Sequence, residues 1–299
     1  MLQGRRSRIL PRICVEVVVR QANPGAFTPI LAALLGLVSV QSGAAVGKAI
    51  FPLVGPEGVA ALRLGLSALI LLVVLRPWRI WRQANLRDLV GYGLMMGLMN
   101  LLIYRAFLYI PVGIAVSIEV IGPLGVALLS SRRRIDLLWI ALSALGLVLL
   151  PWGAGADGLD LRGVAFALAA ALAWGLYVTL GTRVAVHGRQ AVASGMLVAA
   201  MLGVPLGALQ AGSQLLQPTV LAVGLAVALL SSTLPFLLDM FAMRHLPPSV
   251  FGVLLSASPA AGAIAGWLVL GETLSLLQCV GILAIAVACA GAALVRRAR

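Results

Sequence analysis

Charge is scarce in this sequence. Nine Asp and Glu stand against 22 Lys and Arg, and only 10% of the 299 residues are charged at all. A chain that is 62% hydrophobic could not be solvated by water, because most of its surface would be bare apolar side chains. The solvent is therefore lipid. There are two histidines, His187 and His245, both in loops between apolar runs, and no His-Glu-x-x-His, so nothing supports an intramembrane metalloprotease. No Gly-rich loop runs into Lys and Ser/Thr, which excludes nucleotide hydrolysis as a power source within the chain. A lipid-modifying enzyme would need paired carboxylates or histidines at one interface, and these are missing too. The sequence implies neither an enzyme nor a cofactor.

Cysteine is equally sparse. Cys14 lies in the N-terminal stretch, and Cys279 and Cys289 share one apolar run, which is no disulfide framework and no metal spacing. Buried thiols are expected. The net charge of +13 would suit a nucleic-acid partner only if the arginines formed a basic domain. They sit instead in short clusters between apolar runs, as topology and anionic headgroups require, so no nucleic acid is expected.

What the sequence does have is long apolar runs. A spanning helix needs about 20 residues, and ten candidates appear, near 29–50, 57–76, 87–108, 111–130, 135–152, 160–183, 189–210, 218–240, 247–270 and 275–295. Residues 1–28 are basic and lack the uninterrupted apolar core and cleavage site of a signal peptide, so they read as a cytoplasmic tail. With ten helices, 18 of the 22 basic residues fall on one side, while the opposite loops hold Arg162 beside Glu57, Asp157, Asp160 and Glu272. That bias places both termini, including residues 296–299, in the cytoplasm of a multi-pass protein of the bacterial inner membrane.

The chain also repeats itself. A shift of 136 residues superposes Pro111 on Pro247, Pro123 on Pro259 and Asp136 on Glu272 without a gap. Two five-helix units, 29–152 and 160–295, follow, and an odd helix count makes the second copy inverted in the membrane. Inverted repeats supply two related conformations, the basis of alternating access, and so favour a transporter. The fold expected is an all-α integral membrane protein of ten transmembrane helices in two inverted repeats. The sequence is compatible with a homodimer.

Several stretches resemble the drug/metabolite transporter superfamily, in its EamA-type branch. They are Gly47-Lys48, Phe51 to Gly55, Ala61 to Leu64, Arg76 to Arg79, Met99-Asn100, the block from Pro111 to Arg133, Gly207 to Gly212, and Leu270 to Leu274. The long block is specific, whereas the Leu-Gly-Glu turn marks the superfamily alone. The resemblance implies proton-coupled efflux of small neutral amino acids of the threonine and homoserine kind, through a cavity lined by both halves. Efflux or uptake of another small metabolite or drug by the same fold is the alternative.

Ionisable groups inside apolar runs are costly and few: Lys48, Arg63, Arg105, Glu119 and Asp239. At the helical rise, Arg63 lies about 9 Å and Glu119 about 12 Å inside the outer face, where Lys48 ends the first helix. Sharing that depth, Glu119 is expected within ion-pair reach of Lys48 or Arg63. It either gains and loses the coupling proton or forms a permanent structural pair. Asp239 and Arg105, near helix ends, read as interface anchors. Gln41, Asn100 and Tyr104 are polar groups for cargo near the midplane, or else interhelical hydrogen-bonding glue. Trp174 and Tyr177 share a helix face toward the cytoplasm and form a candidate aromatic gate. Gly43/Gly47, Gly93/Gly97, Gly203/Gly207 and Gly262/Gly266 are close-packing pairs. Pro123, Pro205, Pro235 and Pro259 fall inside helices, the first and last as candidate hinges.

Overall fold

The computed structural model describes residues 27–48, 50–110, 112–131, 134–149, 160–261 and 275–297. They are helical throughout, with no strand among the described residues. The first half contains α1 (Thr28–Lys48), α2 (Phe51–Leu75), α3 (Leu86–Ala106), α4 (Val112–Glu119), α5 (Ile121–Ser130) and α6 (Arg134–Leu149). The second contains α7 (Leu161–Val184), α8 (Arg189–Ala211), α9 (Pro218–Ala228), α10 (Leu234–His245), α11 (Pro248–Leu255) and α12 (Leu276–Arg297). Helical stretches fall on all the expected runs. Five of them, Phe51–Leu75, Leu86–Ala106, Leu161–His187, Arg189–Leu216 and Pro218–His245, are long and apolar enough to cross a membrane.

Local chemistry sets the element ends. Asn85 caps α3 by accepting from the Arg87 N–H at 3.1 Å, and Asp160 caps α7 by accepting from the Arg162 N–H at 2.8 Å. Hydrogen bonds from the Arg162 side chain and backbone hold the exposed Asp160 carboxyl below its ordinary range. In α2 the backbone bends at Gly55, whose φ of 67° only glycine adopts without strain, and Pro56 then starts the straight part. The expected span of 57–76 corresponds to that straight part.

Prolines account for the two broken helices. Pro123 has no N–H to return to the Glu119 carbonyl four residues back, and α4 ends at Glu119; Pro259 stands in the same relation to Leu255, where α11 ends. The two breaks superpose under the shift of 136 residues. Pro205 lies within α8 without interrupting it.

Helix contacts obey the same shift. It carries α1 onto α7, α2 onto α8, α3 onto the α9–α10 stretch, α4–α5 onto α11, and α6 onto α12. The most extensive packing is α2 on α8, followed down the map by the self-corresponding pairs α6 on α12 and α5 on α11. The contact of α3 with α7 is matched by α10 with α1, and that of α5 with α7 by α11 with α1.

Close backbone approach holds the α2–α8 seam. A Cβ on Gly207 would meet the Ala61 methyl and lie 2.6 Å from the Glu57 carbonyl oxygen. A Cβ on Gly43 would lie 2.7 Å from Ser231 Cβ, so α1 needs glycine there as well. Gly207→Leu is therefore expected to destabilise the fold by about 1–3 kcal/mol or more, read as a lower midpoint of thermal unfolding in detergent.

Outward faces are apolar. Leu69, Val73, Leu129, Leu145, Leu172 and Met201 are all exposed, as a lipid-facing belt requires. Cys279 is on this exposed face and not buried as expected, since an apolar run cannot say which side meets lipid. Cys14, Gly262/Gly266 and Glu272 lie outside the described residues, as do the side chains of Lys48 and Cys289.

Candidate functional site

Between the halves lies a cavity of about 140 Å³, on the scale of one that admits a benzene-sized guest. Its wall comes from α1, α2, α3 and α4 on one side, and α7, α10, α11 and the turns beside them on the other. Of the residues singled out from sequence, Gln41, Arg63, Asn100, Tyr104, Glu119 and Trp174 all line it.

Arg63 is the cavity's best-fixed polar group. Only 6% exposed, it donates from Nε to Ser232 Oγ at 2.9 Å, from Nη1 to the Tyr104 hydroxyl at 3.0 Å, and from Nη2 to the Ser231 carbonyl at 2.5 Å. The reason lies in the facing helix. A π-helical turn, Leu229–Thr233, separates α9 from α10, with Pro235 just beyond it. Pro235 can return no N–H to Ser231, four residues back, or to Leu230, five back. Arg63 satisfies the first orphaned carbonyl and Ser39 the second, at 2.5 Å. Ser67 reaches the Ala228 carbonyl at 2.8 Å and accepts from Thr233 at 2.9 Å, extending the polar seam. The signal for it in the sequence is Ser231-Ser232-Thr233-Leu234-Pro235 in one apolar run, with Arg63 and Ser67 one turn apart in another.

The expected ion pair between Glu119 and Arg63 is not formed. Three of the five Arg63 N–H groups are taken up by the π turn and Tyr104, and no ion pair to Glu119 occurs among the described side chains. Glu119 is nevertheless buried and lines the cavity with Arg63. Asp239, expected as an interface anchor, also lines the cavity; its Oδ1 lies 3.3 Å from where a Gly36 Cβ would be. Counting residues placed it near a helix end, and that level proves to be the floor of the cavity. Arg105 does leave the cavity for the surface, where its Nε pairs with Glu57 at 3.0 Å.

The remaining polar candidates play mixed parts. Gln41 donates to the Ser258 carbonyl at 2.7 Å, tying α1 to the stretch after the broken α11. Asn100 gives one N–H to the Met96 carbonyl of its own helix at 2.7 Å while lining the cavity. Tyr104 stands edge-on to Phe51 and Phe107, with centroids 5.9 and 5.7 Å away.

Trp174 and Tyr177 do not form one surface. Trp174 lines the cavity, whereas Tyr177 lies outside it, fully buried, stacked on Tyr92 at 5.1 Å and edge-on to Phe236 at 5.7 Å. The cavity is thus bracketed by two aromatic trios. Phe51, Tyr104 and Phe107 stand at the end marked by the Glu57–Arg105 pair. Tyr92, Tyr177 and Phe236 stand toward the end where Asp88 pairs with Arg183 at 3.5 Å.

Comparison with known proteins adds to this geometry. The family model described as the EamA-like transporter family matches residues 161–294. The chain is 46% identical over 272 residues to the threonine/homoserine exporter RhtA of Salmonella typhimurium strain SL1344, covering 90% of this chain and 92% of the relative. The protein of the same name from Escherichia coli K12 aligns with the same identity and coverage. A solved crystal structure superposes with a TM-score of 0.73 at 20% identity, covering 93% of this chain and 99% of the other, which is a likeness of fold.

Proposed function

The chain belongs to the EamA-like transporter family, and from that premise we propose that it exports small neutral amino acids of the threonine and homoserine kind across the bacterial inner membrane, by proton-coupled alternating access. The observation that carries the reading is one fixed guanidinium sharing a small cavity with two carboxylates that form no ion pair among the described residues. Arg63 suits a carboxylate cargo group and Glu119 an ammonium. An unpaired charge inside a membrane costs at least about 2.5–3.5 kcal/mol, so a vacant cavity favours whatever brings positive charge to Glu119. Either an ammonium or a proton does that. Competition between them at one carboxylate is sufficient for antiport.

The architecture supporting this reading is ten transmembrane helices in two inverted five-helix repeats, 29–152 and 160–295, with both termini cytoplasmic. The superposed helix breaks and the exchange-symmetric packing favour it, together with the arginine bias of the loops. Pro123 and Pro259 then sit at corresponding flexure points, and the two aromatic trios serve as gates on opposite sides of the cargo. The gate toward the cytoplasm is Tyr92, Tyr177 and Phe236, with Trp174 facing the cargo. A bulky cationic drug fits poorly, since the cavity is small and carries a fixed cation.

Reconstituted vesicles with labelled threonine test the reading. An imposed pH gradient is expected to drive the label across the membrane against its concentration gradient, and collapsing the gradient is expected to stop it. Cells expressing the protein should also outgrow controls in toxic threonine or homoserine. Protection against cationic dyes alone would remove the cargo assignment.

A further inference from the structure

Among the described residues, three hydroxyls in the packed core have no hydrogen-bond partner: those of Tyr92, Tyr177 and Ser194. All three residues are fully buried. An unsatisfied buried hydroxyl costs about 1–3 kcal/mol, and phenylalanine would fill either tyrosine site without that cost. These groups stand on α3, α7 and α8, and each calls for an explanation.

Their position is informative. The Tyr92 and Tyr177 rings stack, and their hydroxyls approach one another without reaching hydrogen-bond geometry. The Asp239 carboxylate, on the cavity floor and in no ion pair among the described residues, is within electrostatic reach of both. By helical rise the three lie at a similar level, about 9–11 Å from the start of α3 and from the C-terminal ends of α7 and α10. Asp88 is one turn before Tyr92 on the same face of α3 and is partly exposed beside Arg183. Other titratable groups on the elements around α10 are Arg189, His187, Arg244 and His245, all toward the loop end of the bundle, and Lys48 at the opposite end of α1. Arg63 and Glu119 meet Asp239 across the cavity.

We propose that Asp239, Tyr92 and Tyr177 form the proton route between the cavity and the Asp88–Arg183 face, separate from the groups that hold the cargo. A proton delivered to Asp239 leaves its carboxyl for the lone pair of a tyrosine hydroxyl as that hydroxyl passes its own proton onward. The route ends on Asp88 and bulk water, with every hydroxyl neutral again. Ser194 adds a third hydroxyl on the adjoining helix. The inference rests on the proton-coupled reading above and adds a path to it.

Two measurements in threonine-loaded vesicles separate path from binding. Threonine–threonine exchange at equal pH needs cargo binding and gate motion but no net proton release, whereas gradient-driven uptake needs all three. For Asp239→Asn and for the double variant Tyr92→Phe/Tyr177→Phe, which keeps both gate rings, gradient-driven uptake is expected to fall by about tenfold or more, and by a larger factor than exchange. The double variant removes only unpartnered hydroxyls, so it should unfold no more readily than the parent. Undiminished gradient-driven uptake in the double variant would overturn the tyrosine route. Loss of exchange along with uptake in Asp239→Asn would make Asp239 a cargo residue and overturn its place in the route. Absence of exchange in the unaltered protein would instead sink the amino-acid reading itself.

Discussion

Arg63→Gln is expected to reduce threonine export by about 100-fold, corresponding to the 1.5–3 kcal/mol of a hydrogen bond to a charged group. The substitution removes the cavity's fixed cation, and with it the carboxylate partner in the cargo site. It also leaves the Ser231 carbonyl, already deprived of a helical donor by Pro235, without the Nη2 donor that satisfies it. Some loss of thermal stability should accompany the loss of transport. Arg63→Lys divides the two contributions. It keeps the charge but cannot reach Ser231, Ser232 and Tyr104 together, so transport should recover in part while the melting midpoint stays low. Export at the parental rate by Arg63→Gln in stable protein would show that the cargo carboxylate binds elsewhere.

Glu119→Gln should separate coupling from conduction. The amide keeps the shape of the carboxyl but neither takes up a proton nor attracts an ammonium. Export is expected to become insensitive to the pH gradient, with a KM for threonine raised by about tenfold. The rise in KM is what distinguishes Glu119 from Asp239, whose replacement should leave cargo affinity alone. A full transport rate with unchanged gradient dependence would remove Glu119 from the proton cycle.

Much of this molecule was legible in its sequence. Apolar runs and arginine clusters place helices to within a few residues, because length and charge bias are one-dimensional quantities. Depth is also one-dimensional: Arg63 and Glu119, assigned to one depth, and Asn100 and Tyr104, assigned near the midplane, all line a common cavity. Direction around a helix axis is harder. Tyr177 was grouped with Trp174 by spacing, yet its ring turns to Tyr92. Of the two partners expected for Glu119, Arg63 turns instead to a carbonyl released by the π turn of the facing helix, and the Lys48 side chain lies outside the described residues. Asp239 was misjudged for a related reason: distance from a helix end does not tell how deep the cavity reaches. Tyr92 carried no signal at all, being an aromatic in an apolar run.

The bonds from Arg63 to Ser231 and Ser232, and those from Ser39, Ser67 and Gln41 to backbone carbonyls, run from the first half of the chain to the second. Any rocking of one half against the other has to strain or exchange them. A carrier stitched in this way idles slowly when it holds nothing, because the vacant protein has no new contact to offset those it breaks. On the proton-coupled reading proposed above, the polar seam is a brake on slippage that keeps a proton gradient from draining through unloaded copies.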